Sequence, residues 1–134
     1  MIKTRGFTLL ELILVVIILG ILASLGTVQY TKVIEKSRGA EAKTILGQVR
    51  NAEEAYKLEY SDYSGNFTTL GIDGIPDSTC DTKHFFNYNI TAGTGTFTAT
   101  ATRCTGANGK TPGVATAYNI TLNQDGNLTV PPGY

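Results

Sequence analysis

The sequence has no net charge, a single histidine, two cysteines, and no proline before Pro76. Lysine and arginine total 11, and so do aspartate and glutamate. The basic excess expected of a nucleic-acid-binding surface is therefore missing. His84 and two cysteines fall short of the four ligands of a structural zinc site. Asp125 stands alone near the C-terminus, where calcium would need about six to eight oxygens. Also missing are a nucleophile paired with a base, a phosphate-binding loop and a paired-carboxylate site. These absences argue against an enzyme and give no reason to expect a cofactor or a metal. With 134 residues the chain has room for one small domain and an extension.

The most informative shortage is local. Residues 7–31 contain one charge, Glu11, and residues 12–25 are almost entirely Leu, Ile and Val. A run of this kind is compatible with a bilayer-spanning helix, which takes about 20 residues. Lys3 and Arg5 before it favour a cytoplasmic N-terminus, while Lys32, Lys36 and Arg38 beyond it weaken that preference. An ordinary secretory signal could end near Ser24-Leu25-Gly26, and a plain membrane anchor would keep the whole segment. Neither accounts for a carboxylate inside the run, which costs about 2.5–3.5 kcal/mol on insertion scales and is normally retained for a partner. Neither accounts for Gly6-Phe7-Thr8-Leu9-Leu10-Glu11 standing ahead of the run.

Arg5-Gly6-Phe7-Thr8-Leu9-Leu10-Glu11-Leu12 resembles the leader junction of type IV pilins and of the related type II secretion pseudopilins. The motif covers about 25 residues of a helix-forming N-terminus. The resemblance implies removal of residues 1–6 by a membrane-embedded prepilin peptidase that cuts after Gly6 and methylates the new N-terminus at Phe7. It implies that Glu11 and Phe7 form the assembly site, through which copies polymerise on an inner-membrane assembly platform. The subunit would wait in the inner membrane and then join an extracellular pilus serving adhesion, motility or DNA uptake, or a periplasmic pseudopilus as the alternative. The absence of proline departs from many pilins, which kink this helix; Gly20 and Gly26 are the substitutes for loosening it.

Physical logic supports this pairing. Cleavage creates an ammonium at Phe7 within one helical turn of Glu11, and two buried opposite charges cost far less together than apart. An axially shifted neighbour can present its ammonium to Glu11, so an insertion penalty becomes a preference for packing in register.

Beyond residue 31 the sequence predicts an amphipathic helix to about residue 60, with Ile45, Val49, Ala52 and Tyr56 as its buried stripe and Leu46 alongside. Arg50 with Glu54, and Glu53 with Lys57, are expected as i,i+4 pairs on a solvated face. Residues 61–83 read as a connecting loop introduced by Ser61-Asp62-Tyr63-Ser64-Gly65-Asn66. Residues 84–134 read as an antiparallel sheet domain with strands at 84–91, 96–103, 117–122 and 128–130, and with 105–115 as the least constrained loop. Ala92-Gly93-Thr94-Gly95 and Asp125-Gly126 are hairpin signals. The fold class expected is α+β, a long N-terminal helix packed on about four strands.

Cys80 and Cys104 follow an export-type segment, which favours a disulfide formed in an oxidising compartment over two buried thiols that never meet. Four Asn-x-Thr triplets begin at Asn66, Asn89, Asn119 and Asn127, as chance allows in a chain this rich in Asn and Thr.

Overall fold

A computed structural model describes residues 6–114 and 116–132. The leader residues 1–5, with Lys3 and Arg5, lie outside the described residues. The elements run α1 (Leu9–Tyr60), β1 (Phe86–Gly93), β2 (Thr96–Arg103), a 3-10 turn (Gly106–Asn108), β3 (Asn119–Asn123) and β4 (Leu128–Thr129). The chain divides into two compact units, Met1–Glu35 and Lys36–Tyr134.

In the first unit the helix continues without a break through Gly20 and Gly26. Each large apolar side chain described between Phe7 and Leu25 is exposed, from 47% at Ile13 to 84% at Phe7. Length and composition make this helix able to cross a membrane.

The second unit holds the core. Ala42, Leu46 and Val49 of α1 pack with Phe86, Tyr88 and Ile90 of β1, Phe97, Ala99 and Ala101 of β2, and Ile120 and Leu122 of β3. Strand order follows the sequence, β1-β2-β3-β4, with every pair antiparallel. Period-2 alternation sets the register: Phe86, Tyr88 and Ile90 face inward and leave Asn and Thr on the other face. Gly95 (φ +70°) and Gly126 (φ +81°) take left-handed conformations in the two hairpin turns, where glycine carries no Cβ penalty. Strand β1 begins at Phe86 instead of residue 84, because the carbonyls of His84 and Phe85 serve Lys110 N–H and Cys104 N–H.

The buried stripe differs from the sequence expectation. It runs through Ala42, Leu46, Val49 and Glu53, while Ile45, Ala52 and Tyr56 are half-buried flankers. Glu53 therefore is not on a solvated face beside Lys57. It is fully buried, and its carboxylate accepts Ser64 N–H at 2.8 Å and Gly65 N–H at 3.0 Å. A carboxylate satisfied by main-chain donors fits a core position that side-chain hydropathy assigns to a hydrophobe. Its neighbour Glu54 accepts from the Tyr63 hydroxyl, and Arg50 Nε donates to the Gln124 carbonyl, so the Arg50–Glu54 pair is replaced by tertiary contacts.

The connecting loop is well fastened. Tyr63 and Phe67 are buried, and Leu70, Ile72 and Ile75 pack against the core. Tyr88 N–H donates to the Pro76 carbonyl at 2.9 Å, and Ser78 N–H donates to the Tyr88 carbonyl at 2.8 Å. These bonds cover the free edge of β1, the usual remedy for an unpaired strand.

Candidate functional site

The helix begins with Thr8. Its hydroxyl accepts Glu11 N–H at 3.2 Å, and Glu11 Oε2 accepts both Thr8 N–H and the Thr8 hydroxyl at 2.9 Å. This is a capping box, S/T-x-x-E, in which Thr and Glu satisfy the orphan donors of the first turn reciprocally. Sequence reasoning placed Glu11 in the assembly site but missed Thr8, although the Thr-x-x-Glu spacing carried the signal. Only Oε2 is engaged; among the described residues Glu11 Oε1 makes no hydrogen bond. Gly6 and Phe7 are exposed immediately ahead of the cap. One carboxylate thus has an oxygen held by its own subunit and an oxygen open to another donor.

A second cluster gathers where the connecting loop enters the sheet. Cys80 and Cys104 form a disulfide with a Cα–Cα distance of 5.9 Å and a sequence separation of 24. Arg103 next to it is fully buried. Its Nη1 donates to the carbonyls of Phe85 and Cys104 at 3.0 and 3.2 Å, and its Nη2 donates to the Pro112 carbonyl at 3.0 Å. The guanidinium fork, with five donors in a fixed plane, suits carbonyls arriving from three segments. It pins the 105–115 loop, which the sequence marked as least constrained. Gly109 and Gly113 complete the pinning: a Cβ on Gly109 would collide with Cys104, and one on Gly113 would meet the Gly106 backbone at 2.8 Å.

The Phe85 ring carries Arg103 at 5.1 Å, Arg38 at 5.2 Å and Lys110 at 4.7 Å from its centroid. Cations from α1, β2 and the loop meet at one aromatic ring, each attracted by its quadrupole. Phe85 N–H donates to Glu41 Oε1 at 3.1 Å, so one carboxylate is close to the group. Nearby, His84 is held by Asp81 at 3.0 Å. Burial would raise the Asp81 carboxyl, but hydrogen bonds from the His84 side chain and from the His84 and Lys83 backbone hold it below the usual carboxylate range. Cys80 and Cys104 serve structure here, and among the described residues no group of His, Cys, Asp and Glu is arranged to hold a metal.

Two family profiles match the chain. "Prokaryotic N-terminal methylation motif" covers residues 1–27, and "Type IV minor pilin ComP, DNA uptake sequence receptor" covers residues 29–111. Among curated relatives, the type IV major fimbrial protein FimA of Dichelobacter nodosus is 31% identical over 92% of this chain and 68% of its own length. The type IV major pilin protein PilA of Myxococcus xanthus is 37% identical over 52% of this chain and 32% of its own. The type II secretion system core protein G of Escherichia coli is 33% identical over 65% of this chain and 59% of its own. The matched part of the chain therefore spans from 32% to 68% of the length of these relatives. A methylation-motif N-terminus, a capped apolar helix and a four-stranded antiparallel sheet accompany these similarities, and the chain belongs to the type IV pilin family.

Proposed function

We propose that this chain is a structural subunit of a type IV pilus, cut after Gly6, methylated at Phe7 and polymerised through its N-terminal helix. One observation carries the reading: an exposed apolar helical stretch, residues 9–25, whose single carboxylate, Glu11, has an Oε1 with no hydrogen bond among the described residues. Water does not tolerate so much contiguous apolar surface on a monomer. Lipid covers it before assembly, and copies of the same helix cover it afterwards. The Phe7 ammonium released by cleavage on one subunit approaches Glu11 of the next, and the uncut leader withholds that ammonium.

Among pilus tasks we favour DNA uptake. The matching profile bears that description, and Lys110 stands exposed beside Phe85 as a cation that a phosphate could meet. Similarity to a type II secretion core protein supports a pseudopilin as the second reading.

Deleting the gene separates the two. The pilus reading expects loss of surface filaments seen by electron microscopy and loss of transformation, with secreted proteins still released. Intact filaments together with impaired secretion would replace it with the pseudopilin.

A further inference from the structure

The two cysteines of the disulfide differ in their surroundings. Cys104 is 2% exposed, whereas Cys80 is half-buried and keeps part of its surface in solvent. Gly109 lies over Cys104: a Cβ on that glycine would stand 2.3 Å from Cys104 Cβ and 3.2 Å from its Sγ. Cys80 Sγ takes one weak contact, from Asn87 Nδ2 at 3.5 Å. The bridge is therefore open on one side and sealed on the other.

That asymmetry decides how the bridge exchanges with an outside thiol. The outcome of thiol–disulfide exchange depends on which sulfur can be reached and on how well the other one leaves. Asn87 Nδ2 would steady a thiolate at Cys80, which favours Cys80 as the leaving group and Cys104 as the target. Arg103 weighs against this, since its Nη1 at 3.2 Å from the Cys104 carbonyl sets a fixed positive charge beside a thiolate at Cys104. Access settles the matter. A residue at 2% exposure presents almost no surface to a nucleophile, and the Asn87 contact is too long to outweigh that.

We propose that Cys80 is a reversible thiolation site for a small external thiol, with Cys104 as its resolving cysteine. The thiolate of the external molecule attacks Cys80 Sγ. The Cys80–Cys104 bond breaks, a new disulfide forms between Cys80 and the external sulfur, and the electron pair leaves on Cys104 Sγ, which takes a proton from solvent. The step exchanges one disulfide for another, so no oxidant or reductant is consumed. Cys104 stays where it was, because its N–H is held by the Phe85 carbonyl at 3.0 Å and Gly109 lies over it. From there its thiolate attacks the adduct, expels the external thiol and restores the native bridge. The proposal stands whichever filament the subunit joins.

The test uses the full-length chain in detergent, incubated with reduced glutathione, quenched with N-ethylmaleimide and mapped by peptide mass spectrometry. Glutathione should be found on Cys80 and N-ethylmaleimide on Cys104, in about tenfold excess over the reverse pattern. The same incubation in urea should spread glutathione over both cysteines, since unfolding removes the cover from Cys104. Removing glutathione before the quench should return the native bridge. Glutathione mainly on Cys104, an equal split in the folded chain, or no adduct on either cysteine would each overturn the proposal. So would the same Cys80 preference in urea, because the selectivity would then owe nothing to the fold.

Discussion

Glu11 Oε2 is held by the hydroxyl and backbone N–H of Thr8, each at 2.9 Å, while among the described residues Oε1 takes no hydrogen bond. The same carboxylate therefore starts its own helix and remains able to take a charged donor from outside. The sequence reading gave Glu11 an assembly role with Phe7, and the helix cap is a second task for the same side chain. It also gives Thr8 a positioning role.

Glu11→Ala should leave membrane insertion intact or improve it, since an intramembrane carboxylate costs about 2.5–3.5 kcal/mol on insertion scales. Filament assembly should fail. Thr8→Ala removes the cap, worth about 1 kcal/mol, yet keeps the carboxylate. Filament yield should fall without vanishing, and Thr8→Ser should recover it. Surface-filament immunoblots with membrane fractionation read all three. Full piliation in Glu11→Ala would refute the pairing.

Glu53→Ala should destabilise the folded domain by about 2–3 kcal/mol, because it strands the buried N–H groups of Ser64 and Gly65. Glu53→Gln keeps an acceptor and should cost less. Urea titration followed by circular dichroism measures both. Equal, negligible effects would mean that those donors find other partners.

The position of Glu53 shows how far the sequence could be read. The strands were legible because Phe86, Tyr88 and Ile90, then Phe97, Ala99 and Ala101, alternate cleanly with Asn and Thr. One more step of that alternation places Arg103 inward, so its burial was within reach of the pattern. The carbonyls of Phe85, Cys104 and Pro112 that make such burial tolerable come from tertiary structure and have no local signature. The helical stripe went astray for the same reason. Hydropathy favoured Tyr56 over Glu53, whereas the main chain arriving at Ser64 and Gly65 required an acceptor at position 53. The methylation-motif junction needed no tertiary information, because its meaning lies in adjacent residues.

Opening the disulfide should cost about 3 kcal/mol by the loop-closure estimate, given the sequence separation of 24. Cys80→Ser, Cys104→Ser should therefore lower the urea midpoint and expose the 105–115 loop to protease while leaving the helix intact. An unchanged midpoint would show that Arg103 alone holds the loop.

Asp62 ties the helix exit to the β1–β2 turn, accepting Tyr63 N–H at 2.9 Å and Gly95 N–H at 3.0 Å through Oδ1. The Gly95 and then the Tyr63 backbone donors hold its carboxyl below the usual 3.8. A depressed folded-state value means the contribution is present above the unfolded pKa and is lost as pH falls through the lower folded value. The carboxyl should titrate below 3.8 by NMR, and Asp62→Asn should flatten the stability profile in that acid window. A titration midpoint at or above 3.8 would contradict the two bonds.

The central claim is that cleavage after Gly6 makes Phe7 the charged partner of Glu11 in a filament. Intact-mass analysis of the subunit from sheared surface filaments tests it most directly. The account predicts a chain lacking residues 1–6 and carrying one added methyl at Phe7. A filament subunit that retains the leader, or a mature chain cut near Gly26, would contradict it.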